Sequence, residues 1–323
     1  MTKVSVIATN LNGKKFLPKL IETLHRQNGV ETEIIIVDRE STDGSLEYLA
    51  GIPEATVFSE PARTGLAAGY ALGLQHASHD LLFFCNEDMW FDSDCLQRLA
   101  AHIDLKRRVG SADPWQWTYD GDRLVHAGVR LERRWWYPNS SYPFRGFNFT
   151  VDLKEGDLIP FPCGGAFLIH RAVYEEIGGW DTSFFLESED VDLFVRAWQR
   201  GWKCVTVPNA KVYHAVGAAT AQKNPSGRPN SELRYSSGRS NLAAIAIKYF
   251  SAFPMLLGAG AAVLAPLAIH FFEGKWHYCK LDWAAIEETR RRLAALLKFR
   301  RDNRDLRRAK PGEQFFLDPE MQL

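Results

Sequence analysis

Val4-Ser5-Val6-Ile7-Ala8 is almost unbroken apolar sequence, and Phe16, Leu17, Leu20, Ile21 and Leu24 then recur at helical spacing, so the chain opens as a strand followed by a helix. The pattern repeats. Glu33-Ile34-Ile35-Ile36-Val37 predicts a second buried strand that ends in Asp38, and Ser41-Thr42-Asp43-Gly44-Ser45 supplies a turn and cap for a helix begun by Leu46-Glu47-Tyr48-Leu49. Residues 63–74 combine small side chains with a helical apolar stripe, and residues 80–85 form a short apolar run with aromatic character that reads as a buried strand. Further on, residues 158–171 read as a strand broken at the pair Gly164-Gly165, where a strand bulges or backbone approaches a ligand. Val191, Phe194, Val195 and Trp198 share one helical face, residues 204–208 read as an edge strand, and residues 211–214 read as another. Buried strands alternating with helices predict an α/β fold with a mostly parallel sheet.

In such a sheet, ligands bind outside the carboxyl ends of the strands. Two predicted strand ends and one predicted helix start carry groups suited to this. Asn86-Glu87-Asp88 places two carboxylates at the mouth of the crevice, where they suit a hard divalent cation that keeps positions open for phosphate oxygens, although acids here also begin helices. Asp38 is placed to hydrogen-bond a base or ribose. Behind Arg63, which could meet a phosphate, Gly65 to Gly69 let backbone approach a ligand at a helix N-terminus that favours an anion. The turn Thr9-Asn10-Leu11-Asn12-Gly13 has one glycine where a dinucleotide fingerprint needs three, which disfavours a nicotinamide-dependent dehydrogenase. Glu189 and Asp190 fall in the first turn of their helix, near the positive end of its dipole.

Composition narrows the partners. Lys+Arg and Asp+Glu both number 39, so the formal charge is zero and bulk electrostatics argue against nucleic acid. The 323 residues exceed the usual single-domain size and predict one large domain with an appendage. The five cysteines are scattered without a Cys-x-x-Cys spacing, and Met1-Thr2-Lys3 leads straight into a strand pattern, so a reducing cytoplasm is expected.

The order and spacing of residues 4–12, Val37-Asp38-Arg39-Glu40-Ser41-Thr42-Asp43-Gly44-Ser45, residues 65–74 and residues 81–88 resemble the nucleotide-binding half of family 2 glycosyltransferases, nearest to the bacterial rhamnosyltransferase-like branch. The resemblance covers roughly residues 3 to 218 and implies a GT-A fold, a Rossmann-like, mostly parallel central sheet flanked by helices. It implies a catalytic domain at 1–221, with a nucleotide-sugar half to about residue 95 and an acceptor half beyond it. Asn86-Glu87-Asp88 matches the branch's Asn-Pro-Asp motif at its first and third positions, which makes Asp88 a metal ligand and His214 its counterpart, holding Mg2+ or Mn2+. Donor contacts are implied for Thr9, Asn10, Asn12, Asp38, Ser41, Arg63, Gly65, Asn86 and Glu87. The family often has asparagines where this chain has Arg63 and Tyr70-Ala71. Gly164, Gly165 and Trp180 fall on the acceptor side, ahead of Glu189-Asp190-Val191-Asp192, which resembles the family's base motif, with Asp190 the base and Glu189 the fallback. The implied activity is inverting transfer from a nucleotide-diphosphate sugar, dTDP-L-rhamnose before a UDP-hexose, to a hydroxyl of a cell-surface glycan or lipid-linked saccharide. The alternative is a nucleotide-sugar-binding scaffold that has lost turnover.

Residues 222–230 are polar with Pro and Gly and predict a boundary, which leaves 222–323 as a C-terminal helical region. Within it, residues 249–272 carry no Asp, Glu, Lys or Arg, but Pro254, Gly258, Gly260 and Pro266 interrupt the run. A span, a pair of interfacial helices and burial against the catalytic domain all fit. Residues 290–310 are basic around Leu293, Leu296, Leu297 and Phe299, which points to an anionic cytoplasmic membrane surface. The region is thus expected to hold the enzyme peripherally on the membrane while leaving the active site intact when removed. A homo-oligomer is compatible with all of this.

Overall fold

A computed structural model describes residues 1–61, 64–128, 130–133, 144–148, 153–215, 230–249 and 252–303. Its elements run β1 (Thr2–Asn10), α1 (Leu17–His25), β2 (Val30–Asp38), α2 (Ser45–Leu49), β3 (Ala55–Ser59), α3 (Leu66–Leu74), β4 (Leu81–Asn86), β5 (Met89–Phe91), α4 (Cys95–Ala100) and β6 (Val109–Thr118). There follow β7 (Leu124–His126), β8 (Arg130–Arg133), β9 (Phe144–Asn148), β10 (Leu158–Ile159), β11 (Ala166–His170), α5 (Arg171–Glu176), α6 (Glu189–Gln199), β12 (Lys203–His214), α7 (Asn230–Tyr249), α8 (Ala252–Phe272) and α9 (Trp276–Asp302).

The main sheet has the order β10-β12-β6-β11-β4-β1-β2-β3, with β5 beside β12 and β7 beside β6. β1, β2, β3 and β4 are mutually parallel, and β11 enters antiparallel between β4 and β6. The chain lays down β1, β2 and β3 in one direction and returns to place β4 on the other side of β1, so the carboxyl ends of β1 and β4 part around a crevice. Thr9 and Asn86 are register partners at that edge. Each of these strands is an apolar run because helices cover both faces: α1 and α4 contribute Leu17, Leu20, Leu96 and Leu99 to one core, and α3 and α6 contribute Tyr70, Leu193 and Phe194 to the other.

Three expectations need correction. Residues 158–171 are two strands in different places: β10 pairs with β12, while β11 lies between β4 and β6. Residues 203–214 form one strand and not two edge strands, because Pro208 sits at a register shift between Val207 and Lys211 that the pairing with β6 spans. The uncharged run is no broken pair of helices. Tyr249 ends α7 inside the core, and α8 continues through Pro266 as a single helix, with Pro254 in its first turn.

The C-terminal helices are also not a detached appendage. Ala244, Ile245, Ala246, Ile247 and Tyr249 of α7 and Leu296 of α9 are buried in the same core as Phe194 and Trp180. α8 packs on α7 and α9, where Ala243, Ala262, Val263 and Ala285 form a small core of their own. Among the described residues no helix is long and apolar enough to cross a membrane. The predicted boundary at 222–230 lies outside the described residues except for Asn230, which begins α7.

Candidate active site

The antiparallel pairing of β5 with the end of β12 sets Met89 opposite His214, so the residue before β5 meets the last residue of β12. Asp88 Oδ1 accordingly lies 3.2 Å from His214 Nε2, and the Asp88 carbonyl accepts from the Ala215 amide at 2.9 Å. On its other side, His214 Nδ1 is 3.1 Å from Gln116 Oε1. With the Gln116 oxygen accepting, Nδ1 carries the hydrogen and Nε2 is left with its lone pair facing the carboxylate. Two electron-pair donors at that separation match the spacing of roughly 3 Å between adjacent ligands of an octahedral ion bound at about 2.1 Å. Among the described residues no group of three or more His, Cys, Asp or Glu could hold a metal, so these two side chains suit an ion whose remaining positions belong to substrate oxygens and water.

Gly164 and Gly165 join this pair to the candidate base. The Asn86 amide donates to the Gly165 carbonyl at 3.0 Å, and a Cβ on Gly165 would stand 2.7 Å from the Met89 methyl and 3.6 Å from His214 Cε1. A Cβ on Gly164 would stand 2.7 Å from Asp190 Oδ2, so only glycine lets the carboxylate take the Gly164 amide at 2.8 Å. Asp190 Oδ1 accepts from the Val191 amide at 2.7 Å. Burial pushes the Asp190 carboxyl up to about 6 against these two amides. Its neighbour Glu189 is 6% exposed, with Oε2 lacking any hydrogen-bond partner, and burial together with the charge of Asp190 raises it well above the ordinary carboxylate range. Glu187 and Ser188, directly ahead, both have left-handed backbone, φ 72° and 65°, which costs roughly 1–2 kcal/mol per residue.

At the β1 and β2 ends, Asp38 is buried and its oxygens take the Asn10 side-chain amide at 2.7 Å and the Ser41 backbone amide at 2.9 Å. Ser41 Oγ accepts from Asn10 Nδ2 at 3.0 Å and from the Asn12 amide at 2.8 Å. Thus Thr9, Asn10, Asn12, Asp38 and Ser41 gather at one strand edge, with Asp38 organising the turn from beneath. Asn10 Oδ1 is buried with no hydrogen-bond partner. Asn86 Oδ1 accepts from the hydroxyl of the fully buried Tyr70 at 3.0 Å, and Glu87 is pushed up to about 8 by burial and by the charge of Asp88, against the Leu11 amide and Arg39. Gly65, with φ 93°, lies against the Phe185 backbone, and Leu66 donates to the Phe185 carbonyl at 2.8 Å, which brings the α3 start to the loop before α6. Arg63 lies outside the described residues.

Trp180, expected on the acceptor side, lies in the core. Its ring is buried, stacked 5.4 Å from Tyr70 and edge-on to Phe84 and Phe167, because the αβ layer beneath the crevice needs that volume filled. Trp115 also packs on the core. Two participants escaped the sequence reading. Gln116 orients His214, and Arg39 is buried at the strand end, where burial lowers its guanidinium and Glu87, Glu60 and Glu189 raise it. Its position one residue past the Asp38 strand end was the available signal.

The model of the family described as "Glycosyl transferase family 2" matches residues 5–178. The chain belongs to this family. As a family 2 glycosyltransferase it is 37% identical over 245 residues to the N-acetylglucosaminyl-diphospho-decaprenol L-rhamnosyltransferase of Mycobacterium tuberculosis, covering 67% of this chain and 77% of that protein. Among solved structures, GalNAc-T7 with UDP, GalNAc and Mn2+ superposes with a TM-score of 0.59 at 19% identity, over 78% of this chain and 49% of that one. Staphylococcus aureus TarS 1-349 in complex with UDP superposes with a TM-score of 0.54 at 15% identity, over 94% and 88%. These likenesses establish a GT-A-like fold for this family 2 enzyme.

Proposed function

We propose that this glycosyltransferase moves L-rhamnose from dTDP-L-rhamnose to a hydroxyl of a lipid-linked saccharide, with inversion at the anomeric carbon. The observation that carries the reading is the Gly164-Gly165 pair: the Gly164 amide bonds the Asp190 carboxylate, and Gly165 lies against His214, which faces Asp88. Similarity to the mycobacterial L-rhamnosyltransferase supports the transferred sugar and the lipid-linked acceptor.

The residues divide the work by their surroundings. Asn10 Oδ1, buried and unpartnered, is an acceptor suited to an N–H of the pyrimidine base, and Asp38 and Ser41 hold Asn10 in place. Asp88 and His214 Nε2 would hold Mg2+ or Mn2+, with Gln116 fixing the imidazole orientation. Such a cation would offset the charge that builds on the departing diphosphate. Asp190 removes the acceptor hydroxyl proton as that oxygen attacks the anomeric carbon. Two backbone amides stabilise its anion, whereas Glu189 Oε2 has no hydrogen-bond donor and burial raises its carboxyl well above the ordinary range, which favours Asp190 over Glu189 as the base.

Melting curves with dTDP-L-rhamnose and with UDP-hexoses, with and without Mg2+ or Mn2+, test the donor. The expected result is a metal-dependent rise with dTDP-L-rhamnose; a rise only with a UDP-hexose overturns the sugar assignment. Donor binding without transfer to any saccharide acceptor would instead identify a scaffold. Asp88→Ala is expected to remove the effect of metal on donor affinity, because His214 alone then faces the ion; calorimetry that finds the metal effect unchanged refutes the site.

We also propose that α8 and α9 dock on an anionic cytoplasmic membrane surface. Leu256, Leu264, Phe271, Phe272, Trp276 and Trp283 expose large apolar side chains on these two helices, Phe272 at 86%. Arg290, Arg291, Lys298 and Arg301 of α9 supply charge on the order of 1 kcal/mol each near such a surface, although intrahelical acids partner all four. The full chain is expected to pellet with phosphatidylglycerol vesicles and to be released only partly by high salt, since apolar contact is not screened. Protein that stays in the supernatant and self-associates instead would make this face an interface between copies.

A further inference from the structure

The C-terminal helices reach the turn before the candidate base: Arg234 of α7 pairs with the Glu187 carboxylate, and Asn241 of α7 holds the backbone. Asn241 of α7 is buried, and its Nδ2 donates to the carbonyls of Leu186 at 3.0 Å and Glu187 at 2.7 Å. Those carbonyls belong to the turn whose Glu187 and Ser188 are left-handed and lead straight into Glu189 and Asp190. A helix start is ordinarily secured by its own N-cap side chain, but Ser188 makes no side-chain cap bond to α6. The unfavourable backbone of this turn is therefore held from outside. Arginine has only donors, so the bond from Arg292 Nη1 of α9 to Asn241 Oδ1, at 2.6 Å, fixes which end of the amide faces the carbonyls. Arg292 Nη2 in turn donates to Ser183 Oγ at 3.1 Å.

We propose that Asn241 is a positioning residue for the transfer reaction: its two hydrogen bonds hold the 187–188 turn so that the Asp190 carboxylate meets the Gly164 amide beside the reacting groups, and Arg292 sets the direction of its amide. This rests on the reading of Asp190 as the base. It also makes the helical layer part of the catalytic apparatus.

Asn241→Asp tests it with the shape preserved. The variant keeps an acceptor for Arg292 but turns an oxygen toward two carbonyl oxygens. Steady-state transfer is followed with the nucleotide sugar that raises the melting temperature and a short-chain prenyl-diphosphate N-acetylglucosamine. Turnover is expected to fall about 100-fold, the usual result of moving a reacting group by about 1 Å, with KM for the donor unchanged and the melting temperature close to that of the parent. Arg292→Gln, altered on the less buried side of the pair, is expected to show the same split of kcat from KM in weaker form. Unchanged turnover in both variants overturns the proposal, as does a parallel loss of turnover, donor affinity and melting temperature. Failure of both variants to fold would make Asn241 structural and has the same consequence. Asp190→Asn in the same assay separates the two ideas: if it is inactive while both variants are fully active, only the positioning role falls, whereas if it is active the base assignment falls first.

Discussion

Replacing Asp190 with asparagine is expected to lower turnover by about two to four orders of magnitude, the usual contribution of a general base, while leaving donor binding intact. The amide has nearly the shape of the carboxylate, but it cannot accept a proton from the attacking hydroxyl. Donor affinity should survive because the residues gathered at the ends of β1 and β4 do not include Asp190. Glu189→Gln is the informative companion, since it imitates the neutral acid that burial and the charge of Asp190 impose on Glu189. A loss of activity confined to Glu189→Gln would move the base by one residue.

The same assignment fixes a pH dependence. Asp190 works as a base only when ionised, and burial pushes its carboxyl up to about 6 despite the Gly164 and Val191 amides. As pH falls through that region the carboxylate gains a proton, so kcat/KM should drop by about tenfold per unit below it. The limb should be lost from the residual activity of Asp190→Asn. An acid limb that stays in place in the variant would show that it belongs to another group.

The strand ends were legible because each combines a buried apolar run with a polar residue that the run itself does not need. Asp38, Asn86 and Asp88 are of this kind, and the structure sets all three along one edge of the sheet. The helical face of α6 was legible from its period, and Gly164-Gly165 from the absence of side chains in an otherwise apolar stretch. What failed was long-range. Pro208 made β12 look like two edge strands because no local rule reveals that a parallel partner spans the shift at Val207 and Lys211. The packing of Trp180 was not legible because stacking on Tyr70, over a hundred residues earlier, leaves no periodic trace. Lys248 was the least legible. A lysine in the last turn of a helix ordinarily faces water and complements the dipole, yet this one is 1% exposed.

That buried lysine makes removal of the C-terminal helices destructive. Lys248 Nζ lies 2.9 Å from Asp181 Oδ2 and bonds Asp192 Oδ1, which also accepts from the Tyr249 hydroxyl at 2.7 Å, while Arg196 holds Asp192 Oδ2 at 2.8 Å. Burial is the largest influence on Asp181 and would raise it, but the charge of Lys248 together with hydrogen bonds from Ser183 and Lys248 outweighs it and holds the carboxyl at about 2. Lys248→Met keeps most of the volume and strips the charge, leaving the fully buried Asp192 to Arg196 and the Tyr249 hydroxyl, with Arg196 the one cation still bonded to it. Breaking a buried pair in this way costs about 3–5 kcal/mol, and the remaining arginine argues for the lower end. The melting temperature should therefore fall by roughly 5 °C at this chain length. Truncation after Gly227 goes further, since it removes Lys248 and Tyr249 and also strips Ala244, Ile245 and Ile247 from the core that α6 packs into. The truncated chain should be insoluble, or lack a cooperative melting transition. A soluble, cooperatively melting truncated protein that still binds donor would show that the helical layer is separable, with Asp192 satisfied by Arg196 and water.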